Sequence, residues 1–424
     1  MSDRPAAASS PPQITRGVVA ATVAGNALEF YDFVTYAFFA VYIGKAFFPL
    51  PTPFMSLLTS IAVFGVGFLF RPLGGILIGA YADRAGRKPA MLLTIGLITV
   101  GTLGLALVPS YATIGMAAPV LVVICRLVQG LALGGEVGPA TAFLVEIAPP
   151  HRRGLYSSWQ LASQGASATV AGLIGLLLSL LLSQDQMTAF GWRIPFIIGL
   201  ALLPVALYLR RSMPETMHAA PAGSAAPRRL AGQGRLLVLA TLIVIGGTVS
   251  TYVGQYMTTF AITALKLPPS IALSATFVGG ASTFAFALIG GWMADRFGRR
   301  SIMLWPRVLT AVLIVPLFSL LIAAPGAGTL LGVSAMLAIL TAVSGAASLV
   351  IISELLPAAA RATGFSIAYA VGVSLFGGTT QFVITWLIQA TGNPAAPAWY
   401  VVGTSILTIG AMLALPETKG RAID

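Results

Sequence analysis

The side chains in this sequence that could do chemistry are few and of two kinds. Isolated ionisable residues sit inside long apolar stretches: Glu29 and Asp32 within residues 17–43, Arg126 and Glu136 within 116–146, with Arg71 and Arg307 nearer one end of theirs. Acids and bases also recur together in short polar loops, Asp83 with Arg84, Arg87 and Lys88, and Asp295 with Arg296, Arg299 and Arg300. Neither kind is an enzyme's reacting set. No nucleophile–base group, metal-ligand cluster or carboxylate dyad stands at active-site spacing, and the two histidines, His151 and His218, and the one cysteine, Cys125, are scattered. No G-x-x-x-x-G-K-[ST] phosphate loop occurs, so direct ATP hydrolysis by this chain is not expected. Ionisable groups at membrane depth are costly and mark ion or proton pathways.

Depth singles out two of them. Asp32 lies 11 residues from the outer end of its stretch, at 43, and Arg126 lies 10 from the outer end of its own, at 116. At about 1.5 Å per residue both sit roughly 15 Å in. Burial favours a neutral acid, whereas a nearby guanidinium favours the carboxylate. Were the two to meet, an anion competing for Arg126 would loosen its hold on Asp32, which would then take up a proton. The proton-coupling candidates are Asp32, Glu29 and Arg126; a static Asp32–Arg126 pair, or Glu29 as the titrating group, are the alternatives. Arg71 and Arg307 are expected to snorkel to an interface. Gly130, Gly134 and Gly138 form a small-residue seam for helix packing.

These residues need elements to hold them. The 424 residues are 57% hydrophobic and 8% charged, too few charges for a water-facing surface of that size. Apolar stretches of about 20 residues each span a bilayer as helices. They fall at roughly 17–43, 54–81, 89–108, 116–146, 155–183, 191–211, 235–263, 270–294, 301–323, 328–354, 362–391 and 397–415. The net charge of +12 is asymmetric: of 24 Lys and Arg, 18 lie in segments on the side of the N-terminus and 3 opposite (Lys45, Arg193, Lys266). That is the positive-inside bias; the basic loops face anionic lipid, and no nucleic acid partner is needed. Residues 1–16 lack a signal-peptide pattern and read as a cytoplasmic tail. The chain also repeats itself. GAYADRAGRK at 79–88 echoes GGWMADRFGRR at 290–300, and EIAPPHRRG from Glu146 echoes ELLPAAARATG from Glu354. The spacings, 63 from Asp83 to Glu146 and 59 from Asp295 to Glu354, nearly match. The organisation expected is a six-helix half (17–211), a Pro/Gly/Arg-rich linker (212–234), a second half (235–415) and a short cytoplasmic tail (416–424).

The doubled GAYADRAGRK loop resembles the signature of the major facilitator superfamily. GNALEFYDF (25–33), GFLFRPLGG (67–75) and RLVQG (126–130) resemble its metabolite:proton symporters; YSSWQ (156–160) and FGG (376–378) resemble the citrate and tricarballylate branch, with Gln381 where many relatives carry proline. The resemblance implies an all-α membrane protein of twelve transmembrane helices in two pseudo-symmetric halves, with a cavity lined by the first and fourth helices of each half, so that Asp32 and Arg126 can meet. Polar side chains on cavity helices are then substrate candidates: Arg126, Asn26, Gln129, the i, i+4 pair Gln160 and Gln164 of the fifth span, Tyr252 and Tyr256 beside Gln255 of the seventh, and Gln381 of the eleventh. Arg with Gln, Asn and Tyr is a donor set suited to carboxylates, although each is also a common interhelical hydrogen bond. The resemblance further implies a cytoplasmic gate of Asp83, Arg87, Asp295 and Arg299, with Glu146–Arg153 and Glu354–Arg361 in the same layer. It points to a proton symporter importing a tri- or dicarboxylate such as citrate or tricarballylate. The alternatives are a zwitterionic osmolyte (betaine, proline), another metabolite acid (ketoglutarate, shikimate), or a non-transporting nutrient sensor. The expected setting is a monomer in a bacterial inner membrane, both termini cytoplasmic, with the proton as coupling ion and no cofactor.

Overall fold

The computed structural model describes residues 16–85, 87–133, 137–211, 232–357 and 361–421. The side chains of Glu29, Asp83 and Arg87 lie outside the described set, as do residue Glu136 and most of the expected linker. Among the described residues all regular structure is helical, and the helices group into twelve spans. In the first half these are α1 (Arg16–Phe38, continued by Ala40–Phe47), α2 (Pro53–Leu69, continued by Arg71–Ala85), α3 (Arg87–Leu107), α4 (Ala117–Leu133, then Val137–Ile147), α5 (Arg153–Leu181) and α6 (Ile194–Arg211). The second half comprises α7 (Gly234–Thr263), α8 (Pro269–Phe297), α9 (Arg299–Ala323), α10 (Ala327–Leu355), α11 (Arg361–Gly372, a π-helical turn Val373–Gly377, then Gly378–Thr391) and α12 (Ala396–Leu413). Eight described helices are long and apolar enough to cross a membrane, and three shorter apolar ones lie in α3, α4 and α6. Large apolar side chains such as Val100, Leu107, Leu181, Val312 and Ile406 stand exposed on the outside, where lipid replaces water as solvent.

Interruptions have local causes. The α2 break follows Phe70, just before Arg71-Pro72, where proline supplies no N–H to the ladder. The π turn of α11 falls on the FGG segment, and its two glycines let α11 press on α2.

Glycines set the helix contacts that matter. A Cβ on Gly130 of α4 would collide with the Gly67 carbonyl of α2, and one on Gly74 with the Leu131 carbonyl. These contacts fix the α2–α4 crossing beside Arg126. Between halves, Gly65 meets Gly378, and α5 lies along α8 through Gly154 against Gly291, Gly165 against Phe284 and Gly172 against Phe277. At the end away from the basic loops, Ala40, Leu57 and Ile61 of the first half share one apolar cluster with Val253, Met257, Phe260 and Ile384 of the second. The halves therefore touch at both membrane faces.

Gly130→Ala is expected to destabilise the protein by about 1–3 kcal/mol through overpacking. Gly332→Ala, where an added Cβ meets nothing within 4 Å, should be near neutral. Thermal unfolding in detergent measures both.

Candidate functional site

Arg126 and Gln129 stand three residues apart on α4 and reach the same neighbours. The Arg126 Nη1 donates to Gln129 Oε1 at 2.7 Å, and Gln129 Nε2 donates to Asp32 Oδ2 at 2.6 Å and to Thr102 Oγ1 of α3 at 3.1 Å. Gly101 makes room for this: a Cβ there would lie 2.5 Å from the Gln129 Cγ. Asp32 and Arg126 are thus brought together, as expected, but not as a direct pair; a neutral amide stands between them. Gln129, expected as a substrate ligand, has both ends of its amide engaged in this chain. Among the described residues, Asp32 Oδ1 and Arg126 Nε and Nη2 have no hydrogen-bond partner. The guanidinium is wholly buried in an aromatic box, its carbon 5.0 Å from the Phe33 ring centroid, 4.6 Å from Tyr36 and 5.3 Å from Phe64. Electron-rich ring faces stabilise a cation without neutralising it.

The cavity lies elsewhere. A space of ≈ 170 Å³ opens between the halves, lined by Phe30, Val34 and Phe38 of α1, by Gln160 and Gln164 of α5, and by α7, α8, α10 and α11. Gln160, Gln164, Tyr252 and Gln255 are in its wall; Arg126, Gln129 and Asp32 are not. The expectation that the acid–cation set opens directly onto this cavity is therefore corrected. The α1 helix explains the split: Phe30, Val34 and Phe38 are one helical stripe, and Asp32 points off it toward α3 and α4. Tyr252 joins the two regions, lining the cavity while its ring meets Phe64 (6.2 Å) and Phe68 (5.5 Å). Three other candidates sit behind the wall. Asn26 donates to the Gln160 carbonyl (3.0 Å) and Ser163 Oγ (2.6 Å), tying α1 to α5. The Tyr256 hydroxyl accepts from Thr385 at 3.0 Å. Gln381 is buried outside the lining with both amide atoms unpartnered.

Two expectations about arginines fail. Arg71 does not reach an interface; it is buried, its guanidinium carbon 4.6 Å from the Phe33 centroid and 4.2 Å from Phe68. Arg307 is also buried, donating to the Gly246 carbonyl at 3.1 Å and Ser250 Oγ at 2.6 Å. Sequence reasoning also passed over the cavity's hydroxyls, among them Thr248, Ser250, Thr251, Thr276, Ser334 and Thr341. Serine and threonine inside helices commonly bond back to their own ladder, as Ser250 does to Gly246, so type and spacing gave no signal.

On the face of the basic loops the expected charged layer is present, wired differently. Glu146 pairs with Arg361 (2.8 Å) and Glu354 with Arg299 (3.2 Å) and Arg153 (3.8 Å). The expected Glu146–Arg153 and Glu354–Arg361 pairs within each half are thus exchanged for pairs across the halves. Asp295 accepts from the backbone N–H of Gly154 and Leu155, both at 2.9 Å, at the start of α5, and lies 3.2 Å from Arg299. A carboxylate is well placed at that helix N-terminus. The segment after α12 completes the layer, unanticipated from sequence. Thr418 Oγ1 donates to Glu354 at 2.5 Å, and Arg153 donates to the Arg421 carbonyl at 3.1 Å. Glu417 accepts from four backbone N–H groups, those of Arg299, Arg300, Thr418 and Lys419. Partial burial by itself lifts the Glu417 carboxyl, but these donors outweigh it and hold it below the usual glutamate range.

Comparisons with known proteins agree with this architecture. The family described as sugar (and other) transporter matches residues 17–220 and 224–424. The chain is 37% identical to a citrate-proton symporter of Salmonella typhi over 96% of this chain and 95% of that one. It is 30% identical to a proline/betaine transporter of Escherichia coli (strain K12), over 96% and 85%. A solved structure of the xylose transporter XylE from E. coli, partially occluded and inward open, superposes with a TM-score of 0.77 at 18% identity, covering 96% of this chain and 99% of that one.

Replacing Gln129 by Leu strands Asp32 and Arg126 together, and each buried group left unsatisfied should lower stability by about 1–3 kcal/mol; Thr102→Val, which removes only the more distant of the two acceptors of the Gln129 amide, should be milder. Thermal unfolding in detergent distinguishes them. Because Glu417 is held below its ordinary value, its contribution is fully present above about pH 4.3 and is lost as the pH falls through the lower folded value. The terminal segment should resist proteolysis at pH 7 and at pH 5 and yield only below about pH 4, whereas Glu417→Gln should expose it at neutral pH.

Proposed function

Since the chain belongs to the sugar (and other) transporter family of the major facilitator superfamily, we propose that it is a proton-coupled symporter importing a small organic anion, a tri- or dicarboxylate such as citrate or tricarballylate, by alternating access. It is a multi-pass membrane transporter and not an enzyme. The observation that carries the coupling is the chain Arg126–Gln129–Asp32, buried and satisfied on one edge only.

That arrangement links charge on the substrate to charge on the protein. In the resting chain Gln129 transmits the pull of Arg126 to Asp32, holding the carboxylate charged. The cavity does not touch Arg126 in this conformation; an anion that reaches its Nε and Nη2 as the halves move weakens this pull, and Asp32, in apolar surroundings, then takes a proton. Tyr252, standing in the cavity wall and packed against Phe64 of the aromatic box, is the point through which occupancy of one is felt in the other. Substrate and proton leave together when the halves 17–211 and 235–415 rock about the cavity and the charged layer beneath it opens. Gln160, Gln164 and Tyr252 supply neutral donors for the carboxylates. The relatives' organisms and the charge asymmetry support a bacterial inner-membrane protein with cytoplasmic termini.

One observation favours a second reading. Among the described residues no Asp, Glu, Lys, Arg or His lines the cavity, which suits a zwitterion such as betaine or proline, the solutes in the name of the second relative. Uptake of labelled citrate and labelled betaine into vesicles, with and without an inward pH gradient, separates the two. In the same vesicles Asp32→Asn should lose gradient-driven accumulation of the true substrate while keeping exchange down its gradient. Undiminished accumulation would remove Asp32 from the mechanism.

A further inference from the structure

Building on the reading of the substrate as a carboxylate, we propose that Arg307 is the counter-ion for a substrate carboxyl group on the second-half side of the cavity. Arg307 lies eight residues along α9 from Arg299, roughly 12 Å into the span. It is 1% exposed, so its charge does not reach water or lipid headgroups. Its hydrogen-bond partners, the Gly246 carbonyl and the Ser250 hydroxyl, are neutral, and its Nε has none.

The carboxylates that could neutralise it are committed elsewhere. Asp295 is held by the α5 N-terminus and Arg299, Glu354 by Arg299, Arg153 and Thr418, and Glu417 by backbone amides, all on the face of the basic loops. Asp32 is bound to Gln129 in the first half. Among the described residues no acid lies within ion-pair distance of Arg307. A buried cation without a fixed partner is costly, and a mobile anion offsets that cost when it arrives.

The cavity is where such an anion would come from. Ser250, which accepts from Arg307 at 2.6 Å, is in the cavity wall, and so is Gly247. A Cβ on Gly247 would stand 3.9 Å from the Arg307 Nη2 with nothing else within 4 Å, so one hydroxyl and one glycine separate the guanidinium from the cavity. Arg126 approaches from the first half, behind the aromatic box. Two cations on opposite halves match a molecule with two or more separated carboxylates better than one with a single carboxylate. They also let a bound polycarboxylate draw the halves together.

The test is equilibrium binding to purified protein in nanodiscs, using citrate, tricarballylate, betaine, proline, and tricarballylate with two of its three carboxylates replaced by carboxamides. Wild type should bind a polycarboxylate and reject the carboxamide. Arg307→Met should weaken binding about tenfold or more, the loss of a charged hydrogen-bonded partner, and should bind acid and amide alike. Arg307→Lys should recover part of the discrimination, which a purely structural role would not grant. Gly247→Ala, which the space admits, should weaken binding by inserting a methyl group, and it serves if Arg307→Met does not fold. Unchanged affinity and discrimination in the variants would overturn the role of Arg307 and leave the transporter reading standing. Failure of wild type to bind any of the panel would overturn the carboxylate reading, and this assignment with it.

Discussion

A charge that cannot reach water must be met by something else inside the protein, and in this molecule the groups that meet each buried charge differ in kind. Arg126 is met by an amide and aromatic faces, Arg71 by aromatic rings, Arg307 by a carbonyl and a hydroxyl, while Arg299 and Arg361 are met by carboxylates. Among the described residues no carboxylate pairs with the first three, and they lie near the space between the halves. The last two are neutralised, and they lie on the face of the basic loops. Full neutralisation holds a structure closed; partial neutralisation leaves a site able to respond to an arriving ion.

The position of Gln129 follows from this division. A direct carboxylate–guanidinium contact would be strong and hard to open in a low-dielectric surround. An interposed amide passes orientation from one to the other while keeping each charge incompletely satisfied. The glycine contacts of α2 with α4, and the space left by Gly101, hold the amide in place. Backbone packing thus sets the geometry of a polar relay three helices wide.

Much of this was legible beforehand. Apolar length and the repeated loops gave the twelve-helix, two-half architecture, and depth counting put Asp32 and Arg126 at one level. Periodicity along α1 also separates Phe30, Val34 and Phe38 from Asp32, but only contacts say which stripe faces the cavity. The crossed pairing of Glu146 with Arg361 and Glu354 with Arg153 was not legible, because a repeat reports similarity within each half and says nothing of how halves interlock. The role of the terminal segment was also hidden: Glu417 reaches Arg299 and Arg300, and Thr418 reaches Glu354, all more than sixty residues away. Arg307 was misread because distance from a helix end predicts reach, not what surrounds the side chain.

The two closures between the halves differ in composition, ionic on the face of the basic loops and apolar at the other. Added salt screens the half-exposed Glu146–Arg361 pair of the first more than the buried Glu354 pairs, whereas cooling weakens the second. The balance between the two closures therefore shifts in opposite directions with ionic strength at the basic loops and with cold, and it does so before any substrate arrives.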